Sequence, residues 1–219
     1  MGACCARLRR YWTSPSGYVI QNTPTSTIVC KRRWFRTPLV VKHLNLRNNR
    51  PLARRVHEYE RILHFLQRRP HRHVVRFVSV LVPTVVMEQH GTTDLFDYVK
   101  RHDPLPFVQC KRICRQIAHA VTYLHEHGIV HGDIKLENVL FRRDWRGRPH
   151  VRLTDFEAAS VSYQPTNRHT RMYAAPEKLL HDIVGPFNDV WSFGMLIYAV
   201  FEGVPPFYVE RVIERQSVT

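Results

Sequence analysis

Apolar and β-branched residues dominate several stretches of the first ninety residues, and one helical repeat interrupts them. The stretch PLVVKHL (38–44) and the run HVVRFVSVLVPTVVMEQ (73–89), broken at Pro83, are typical of strands. The segment TSPSGYVIQNTPTSTIVCKRRW (13–34) mixes turn residues with β-branched ones and predicts short strands. Helical spacing of apolar residues predicts a helix over 52–67, on Val56, Tyr59, Ile62, Leu63 and Leu66.

The pattern becomes mainly helical after about residue 93. One apolar helical face is formed by Ile113, Cys114, Ile117, Ala120, Val121 and Leu124, and Gly128 is placed to end that helix. HGDIKLENVLF (131–141) and HVRLTDFEAAS (150–160) each predict a short strand beside a loop, and helical patterns return after Pro176 and from Phe187. A sheet-rich part and a helix-rich part, joined through EQHGTTD (88–94), predict an α+β fold with two lobes and a cleft.

Composition supports a globular chain and limits where we expect it to reside. With 219 residues, 44% hydrophobic and 23% charged, the chain is long enough for one sizeable core. It has no apolar run of membrane-spanning length and no apolar signal region near its start, and its five cysteines have no regular spacing. We therefore expect an intracellular, cytoplasmic protein without a transmembrane segment or a secretion signal.

The net charge of +15 favours acidic partners, such as an acidic protein substrate or an anionic membrane surface. No specific nucleic-acid motif accompanies the charge, and a solvated basic surface explains it equally well. Residues 1–16 form a basic tail in which Gly2, Cys4 and Cys5 are candidates for lipidation. Ala6 stands where the myristoylation motif prefers Ser or Thr, so a plain basic tail remains the alternative.

The stretch HGDIKLENVL (131–140) carries the most distinctive chemistry. It places Asp133, Lys135 and Asn138 within six residues, between apolar positions. A base, a cation and an amide suit a phosphate and a metal ion, although a well-capped loop would use the same residue types.

This stretch is one part of an ordered set that resembles the eukaryotic-type protein kinase family from about Tyr18 to Phe207. The set runs from VVK (40–42) through HGDIKLEN (131–138), DF (155–156) and APE (175–177) to DVWSFG (189–194). The resemblance implies a β-rich N-lobe over about 17–89, a hinge over about 88–92 and a helical C-lobe over about 93–219. In this interpretation the C-lobe is truncated after the DxWSxG helix.

The resemblance also implies a role for each matching residue, with ATP and Mg²⁺ as cofactors. Lys42 would bind the α- and β-phosphates, Asp133 would act as the base, and Lys135 would neutralise the γ-phosphate. Asn138 and Asp155 would hold Mg²⁺. Lys135 also makes the chain resemble serine/threonine rather than tyrosine kinases.

Further residues match the hinge and the activation segment of the family. The gatekeeper-like position is Met87, and the backbone of Glu88 to His90 would face the adenine. Thr170 matches the threonine that contacts the catalytic Asp and Lys. Glu177 matches the APE glutamate, whose usual arginine partner has no counterpart here.

Four departures from the family bear on activity. The phosphate-covering loop reads NTPTSTIV (22–29), with Asn22, Pro24 and Thr27 in place of glycines and Val29 retained, so we expect a weaker grip on ATP. The helix position that should offer a glutamate to Lys42 carries Tyr59. The neighbouring glutamates, Glu58 and Glu60, are the two alternatives, and Glu60 is preferred.

The other two departures are Gly132, in place of the arginine of HRD, and Glu157, in place of the glycine of DFG. Both residues also occur in aminoglycoside- and choline-phosphotransferase relatives, so neither by itself implies an inactive protein. Loss of the arginine predicts that activity does not require phosphorylation of Ser160, Ser162 or Thr166.

Only twelve residues follow Phe207, so we expect either a minimal kinase, as found among some viruses, or a partner protein that completes the C-lobe. The sequence favours a serine/threonine protein kinase. A pseudokinase that acts as a binding module and a small-molecule phosphotransferase are the alternatives.

Overall fold

The computed structural model describes residues 17–31, 38–161, 163, 170–204 and 206. The N-terminal part is a five-stranded antiparallel sheet with the strand order β1-β2-β3-β5-β4. Its strands are β1 (Gly17–Asn22), β2 (Ser26–Lys31), β3 (Leu39–Leu44), β4 (Phe77–Leu81) and β5 (Thr84–Glu88). Lys42 on β3 pairs with Ile28 on one side and Val85 on the other, so it lies near the middle of the sheet.

Two helices connect β3 to β4. They are α1 (Arg50–Arg54) and α2 (Val56–Arg68). The Asn49 side chain caps α1 by accepting a hydrogen bond from the Leu52 amide. Helix α2 buries four of the five residues from which it was predicted, namely Tyr59, Ile62, Leu63 and Leu66, which confirms the helical pattern.

Helices predominate in the C-terminal part. Its elements are β6 (Thr93–Asp94), α3 (Leu95–His102), α4 (Phe107–Glu126), β7 (Val139–Arg143), β8 (Pro149–Leu153), α5 (Pro176–His181) and α6 (Pro186–Glu202). Helix α4 buries the whole of the predicted face and packs on β8 and α6. The α+β, two-lobed prediction is therefore confirmed.

One hydrophobic core extends through both parts of the molecule. It includes Leu63 of α2, Val85 of β5, Ile117 of α4 and Leu196 of α6. The Phe156 ring lies 5.9 Å from the Phe77 ring and 4.9 Å from the His131 ring, centroid to centroid, and so connects the sheet to the loop after α4. Among the described residues, no helix is both long enough and apolar enough to cross a bilayer.

Three histidines beside β8 predict that the protein loses stability in mild acid. Burial lowers the pKa of His73 and of His150 to about 4 and that of His90 to about 3, with nearby arginines contributing. An unfolded histidine has a pKa near 6.5, so below that pH the unfolded state binds protons that these three histidines do not bind in the folded state. We expect the melting temperature to fall as the pH is lowered from about 6.5 towards 4.

Substituting one of these histidines should reduce that pH dependence. His150→Gln removes one group that titrates only on unfolding, so its melting temperature should change less between pH 7 and pH 5. His181→Gln is the control, because His181 is exposed on α5. Equal pH slopes in His150→Gln and the wild type, measured by circular dichroism, would contradict the assignment.

Candidate active site

A cleft of about 820 Å³ lies between the five-stranded sheet and the helical part. Both parts contribute polar and apolar side chains to it. Its lining includes six residues predicted from the sequence, namely Lys42, Met87, Glu88, His90, Asn138 and Asp155. The volume is that of a typical small-molecule site.

The turn between β1 and β2 covers one side of the cleft without any glycine. Thr23 Oγ1 accepts a hydrogen bond from the Ser26 amide at 3.0 Å and donates one to the Ser26 carbonyl at 3.0 Å, which closes the turn. The lining side chains from this region are Thr23, Thr25, Ser26 and Ile28.

Asn22 and Val29, which the family pattern assigned to ATP, are not part of that lining. Asn22 instead accepts a hydrogen bond from the Thr27 hydroxyl at 2.8 Å across the strand pair. Alternate residues of a strand face opposite sides of the sheet, so the face that presents Ile28 to the cleft turns Val29 away. The assignment of Asn22 and Val29 to the cleft is therefore wrong, and three of the four residues that line it from this region carry hydroxyl groups.

The pairing of Lys42 also differs from the prediction. Lys42 Nζ lies 2.8 Å from Asp155 Oδ1 and 2.5 Å from Glu157 Oε1. Within the described part of the chain, Glu60 forms no ion pair with Lys42 and does not line the cleft, so the preference for Glu60 is wrong. Tyr59 occupies the cleft-facing position of α2 instead.

The alternative glutamate, Glu58, contacts the segment after Glu157. Its Oε1 accepts hydrogen bonds from the Ser160 hydroxyl and the Val161 amide, each at 2.9 Å. Its Oε2 pairs with Arg55 at 3.2 Å. Helix α2 therefore holds the start of the activation segment through Glu58.

The loop at 131–138, which matches the catalytic loop of the family, forms a closed hydrogen-bond network around Asp133. Lys135 Nζ lies 2.8 Å from Asp133 Oδ2 and donates to Thr170 Oγ1 at 2.7 Å. Thr170 donates to Asp133 Oδ1 through its hydroxyl at 3.0 Å and its amide at 3.2 Å. Asn138 Nδ2 donates to Asp133 Oδ2 at 3.0 Å. The structure thus adds Thr170, which lies more than thirty positions further along the chain, to three residues that are already close in the sequence.

The electrostatics of this network keep Asp133 ionised. Burial alone would raise the pKa of Asp133, but the Lys135 ammonium, its hydrogen bond, the nearby His131 ring and the Thr170 hydroxyl together hold that pKa below its ordinary value. An ionised carboxylate can orient a hydroxyl group and accept its proton.

Asp189, near the start of α6, holds the backbone of the loop at His131 and Gly132. The sequence had predicted no role for this residue. Its side chain is 1% exposed. It accepts hydrogen bonds from the amides of His131 (2.7 Å) and Gly132 (2.8 Å), and its Oδ2 contacts His125 Nε2 at 2.9 Å. Lys178 donates to the Gly132 carbonyl at 2.8 Å, so both backbone groups of Gly132 are held by buried side chains.

Gly132 is packed against Ala158, which directly follows the DFE residues (155–157). Gly132 has φ +79, and a Cβ atom there would lie 2.7 Å from the Ala158 carbonyl oxygen. Only glycine fits both this backbone conformation and this approach. Gly132 is therefore packed beside Ala158, the residue that follows Glu157.

Asp155 and Asn138 offer a donor set that fits Mg²⁺. Asp155 adopts a left-handed conformation (φ 61, ψ 75), which is uncommon for residues other than glycine and recurs at functional sites. Carboxylate and amide oxygens are the hard ligands that Mg²⁺ prefers. Asn138 uses Nδ2 for its hydrogen bonds to Asp133, so its Oδ1 is the atom suited to a metal ion.

Two other predicted features have different outcomes. Glu177 accepts a hydrogen bond from Asn188 Nδ2 at 3.0 Å, so an amide of α6 contacts it in place of the family arginine. The lipidation candidates Gly2, Cys4 and Cys5, and the loop positions Ser162 and Thr166, lie outside the described residues.

Comparison with known proteins agrees with this geometry. The family model described as protein kinase domain matches residues 24–218. The protein named Sucrose non-fermenting protein kinase 1 from Fusarium virguliforme is 31% identical over 172 residues, 75% of this chain and 24% of that protein. Serine/threonine-protein kinase PLK4 from Drosophila persimilis is 33% identical over 143 residues, 62% of this chain and 18% of that protein. PLK4 from Drosophila grimshawi is 34% identical over 135 residues, which are 58% of this chain and 17% of that protein.

The chain therefore belongs to the protein kinase family, and its curated relatives include serine/threonine kinases. It spans about a quarter or less of the length of these relatives (24% and 18%).

Proposed function

We propose that this protein transfers the γ-phosphoryl group of Mg-ATP to serine or threonine hydroxyls of protein substrates. The observation that carries the proposal is the network of Lys135, Asn138 and Thr170 around an ionised Asp133. Phosphoryl transfer depends mainly on positioning and on neutralising charge, and this network provides a base beside a cation.

Each residue has a defined task in this proposal. Asp133 orients the substrate hydroxyl and accepts its proton, while Lys135 neutralises charge on the transferred group. Asn138 and Asp155 would hold Mg²⁺, which supplies charge neutralisation of the phosphates when bound. Lys42 would bind the phosphates, and the backbone at Glu88 to His90 would bind the adenine.

The basic character of the chain favours acidic protein substrates. The net charge is +15, so an acidic protein would be attracted to the surface at low ionic strength. Casein, an acidic protein, should therefore be a better substrate than histone.

A direct test is transfer of radiolabelled phosphate from Mg-ATP to casein, with Lys42→Met beside the wild type. Loss of the Lys42 ammonium removes a charge-assisted contact to the phosphates, so we expect transfer to fall by about 100-fold or more. Lys100→Met is the matched control, because Lys100 is exposed on α3.

Three outcomes would contradict the proposal or part of it. Absence of transfer from the wild type, together with no ATP-induced rise in melting temperature, would indicate a pseudokinase. Transfer to an amino alcohol but not to casein or histone would indicate a small-molecule phosphotransferase. Equal transfer by wild type and Lys42→Met would rule out the role of Lys42.

A further inference from the structure

Lys42 meets two carboxylates, and both come from the segment that follows β8. These are Asp155 at 2.8 Å and Glu157 at 2.5 Å. The side chains of Lys42 and Glu157 are 9% and 3% exposed, so this is a largely buried ion pair. Over the ranges that the structure describes, neither glutamate of α2 pairs with Lys42.

The two residues that flank α1 hold Glu157 in place. Asn49 Nδ2 donates to Glu157 Oε2 at 2.9 Å, while Asn49 Oδ1 caps α1. Arg55 donates to the main-chain carbonyls of Glu157 at 3.1 Å and of Ala159 at 3.0 Å. One carboxylate oxygen of Glu157 is thus directed to Asn49 and the other to Lys42.

Under the proposed function, the Asp155 carboxylate would bind a metal ion, whereas the Glu157 carboxylate would remain paired with Lys42. Asp155 is suited to a metal ion, and a carboxylate engaged with a metal has less charge to offer Lys42. Glu157 is buried and is held by Asn49 and Arg55, so it stays with Lys42. If Lys42 moved away, the buried Glu157 carboxylate would be left without its cation, which is strongly unfavourable. Each partner therefore favours the position of the other.

We propose that Glu157 is the residue that positions Lys42 for phosphate binding, in the place that a glutamate of α2 was predicted to fill. This inference rests on the proposed function, since it assigns Lys42 to the phosphates. It makes the position of the lysine depend on the segment after Asp155, and not on the orientation of α2.

The test compares Glu157→Gln with Glu60→Gln, the same chemical change on α2. Competitive acetylation with acetic anhydride, quantified for Lys42 by mass spectrometry, reports how well the amine is held and needs neither nucleotide nor catalysis. Loss of a charged hydrogen-bond partner should raise the acetylation rate of Lys42 about tenfold in Glu157→Gln, and the dissociation constant for ATP by about tenfold. Glu60→Gln should change neither quantity.

A second variant keeps the test decisive if Glu157→Gln does not fold. Asn49→Ser retains an N-cap side chain for α1 but loses the Nδ2 donor to Glu157, so Lys42 acetylation should rise about threefold. Unchanged acetylation of Lys42 in the folded Glu157→Gln protein, or an equal rise in Glu60→Gln, would overturn the inference.

The same measurements separate this inference from the proposed function. Acetylation of the nucleotide-free protein reports on the pairing even if the wild type transfers no phosphate. A wild type without transfer, but with Lys42 exposed by Glu157→Gln, would refute the proposed function and retain the pairing.

Discussion

Replacing Asp133 by asparagine is expected to reduce phosphate transfer by about 10²- to 10⁴-fold while the protein still binds ATP. Asparagine has nearly the same shape but cannot accept a proton from a substrate hydroxyl. Among the described residues, Lys42 and the Glu88–His90 segment, which are proposed to bind ATP, make no hydrogen bond to the Asp133 carboxylate. Transfer to casein and the ATP-induced rise in melting temperature together measure the two quantities.

The Asp133→Asn protein should also be somewhat less stable. Within the described part of the chain, the polar contacts to the Asp133 carboxylate all come from donors, namely Lys135 Nζ, Asn138 Nδ2, and the amide and hydroxyl of Thr170. An asparagine amide has one acceptor oxygen, so its NH₂ group must face at least one of these donors. A loss of about 1–3 kcal/mol in the free energy of unfolding is expected.

Asp182→Asn is the control for this prediction. Asp182 is exposed after α5 and has φ 53, a conformation that asparagine tolerates well. It should transfer phosphate as the wild type does. Wild-type transfer rates in Asp133→Asn would exclude Asp133 as the base.

Replacing Gly132 by alanine is expected to lower the free energy of unfolding by about 2–4 kcal/mol. The added Cβ would lie 2.7 Å from the Ala158 carbonyl oxygen, in a backbone conformation (φ +79) that alanine disfavours. The buried Lys178 and Asp189 hold the backbone of Gly132 on both sides, so the loop cannot easily move away. Urea denaturation measures the loss.

Gly128→Ala separates the two causes. Gly128 has a similar φ of +69, but no atom lies within 4 Å of a Cβ placed there. Gly128→Ala should therefore lower the free energy of unfolding only by the cost of the positive φ, about 1 kcal/mol. Equal losses in the two variants would show that the contact with Ala158 does not matter. Gly132→Arg, which restores the usual family residue, should be at least as harmful as Gly132→Ala.

The contact between Gly132 and Ala158 changes how the departures from the family are interpreted. In the sequence, Gly132 and Glu157 are two separate differences, each of which raises doubt about catalysis. In the structure, glycine at 132 admits the Ala158 carbonyl, and the adjacent Glu157 reaches Lys42. The two differences therefore lie on adjoining segments beside the part of the cleft that Lys42 lines.

The sequence alone was sufficient for the fold class and for most of the catalytic loop. Helical spacing and runs of apolar and β-branched residues are local properties of the chain, so they predicted α2, α4 and the strands β3, β4 and β5 correctly. Asp133, Lys135 and Asn138 lie within six residues, so their proximity is also largely a local property.

Only the tertiary structure decided which glutamate meets Lys42, which side chains of the β1–β2 turn line the cleft, and what supports the catalytic loop. Glu157 lies 115 positions after Lys42, and Asp189 lies 57 positions after Gly132. Such pairings depend on how distant segments pack, and on which way a turn directs alternate side chains, neither of which a local pattern specifies. The sequence therefore identified the residues that carry the chemistry of the site. The partners of its charged groups were set by packing between the two parts of the molecule.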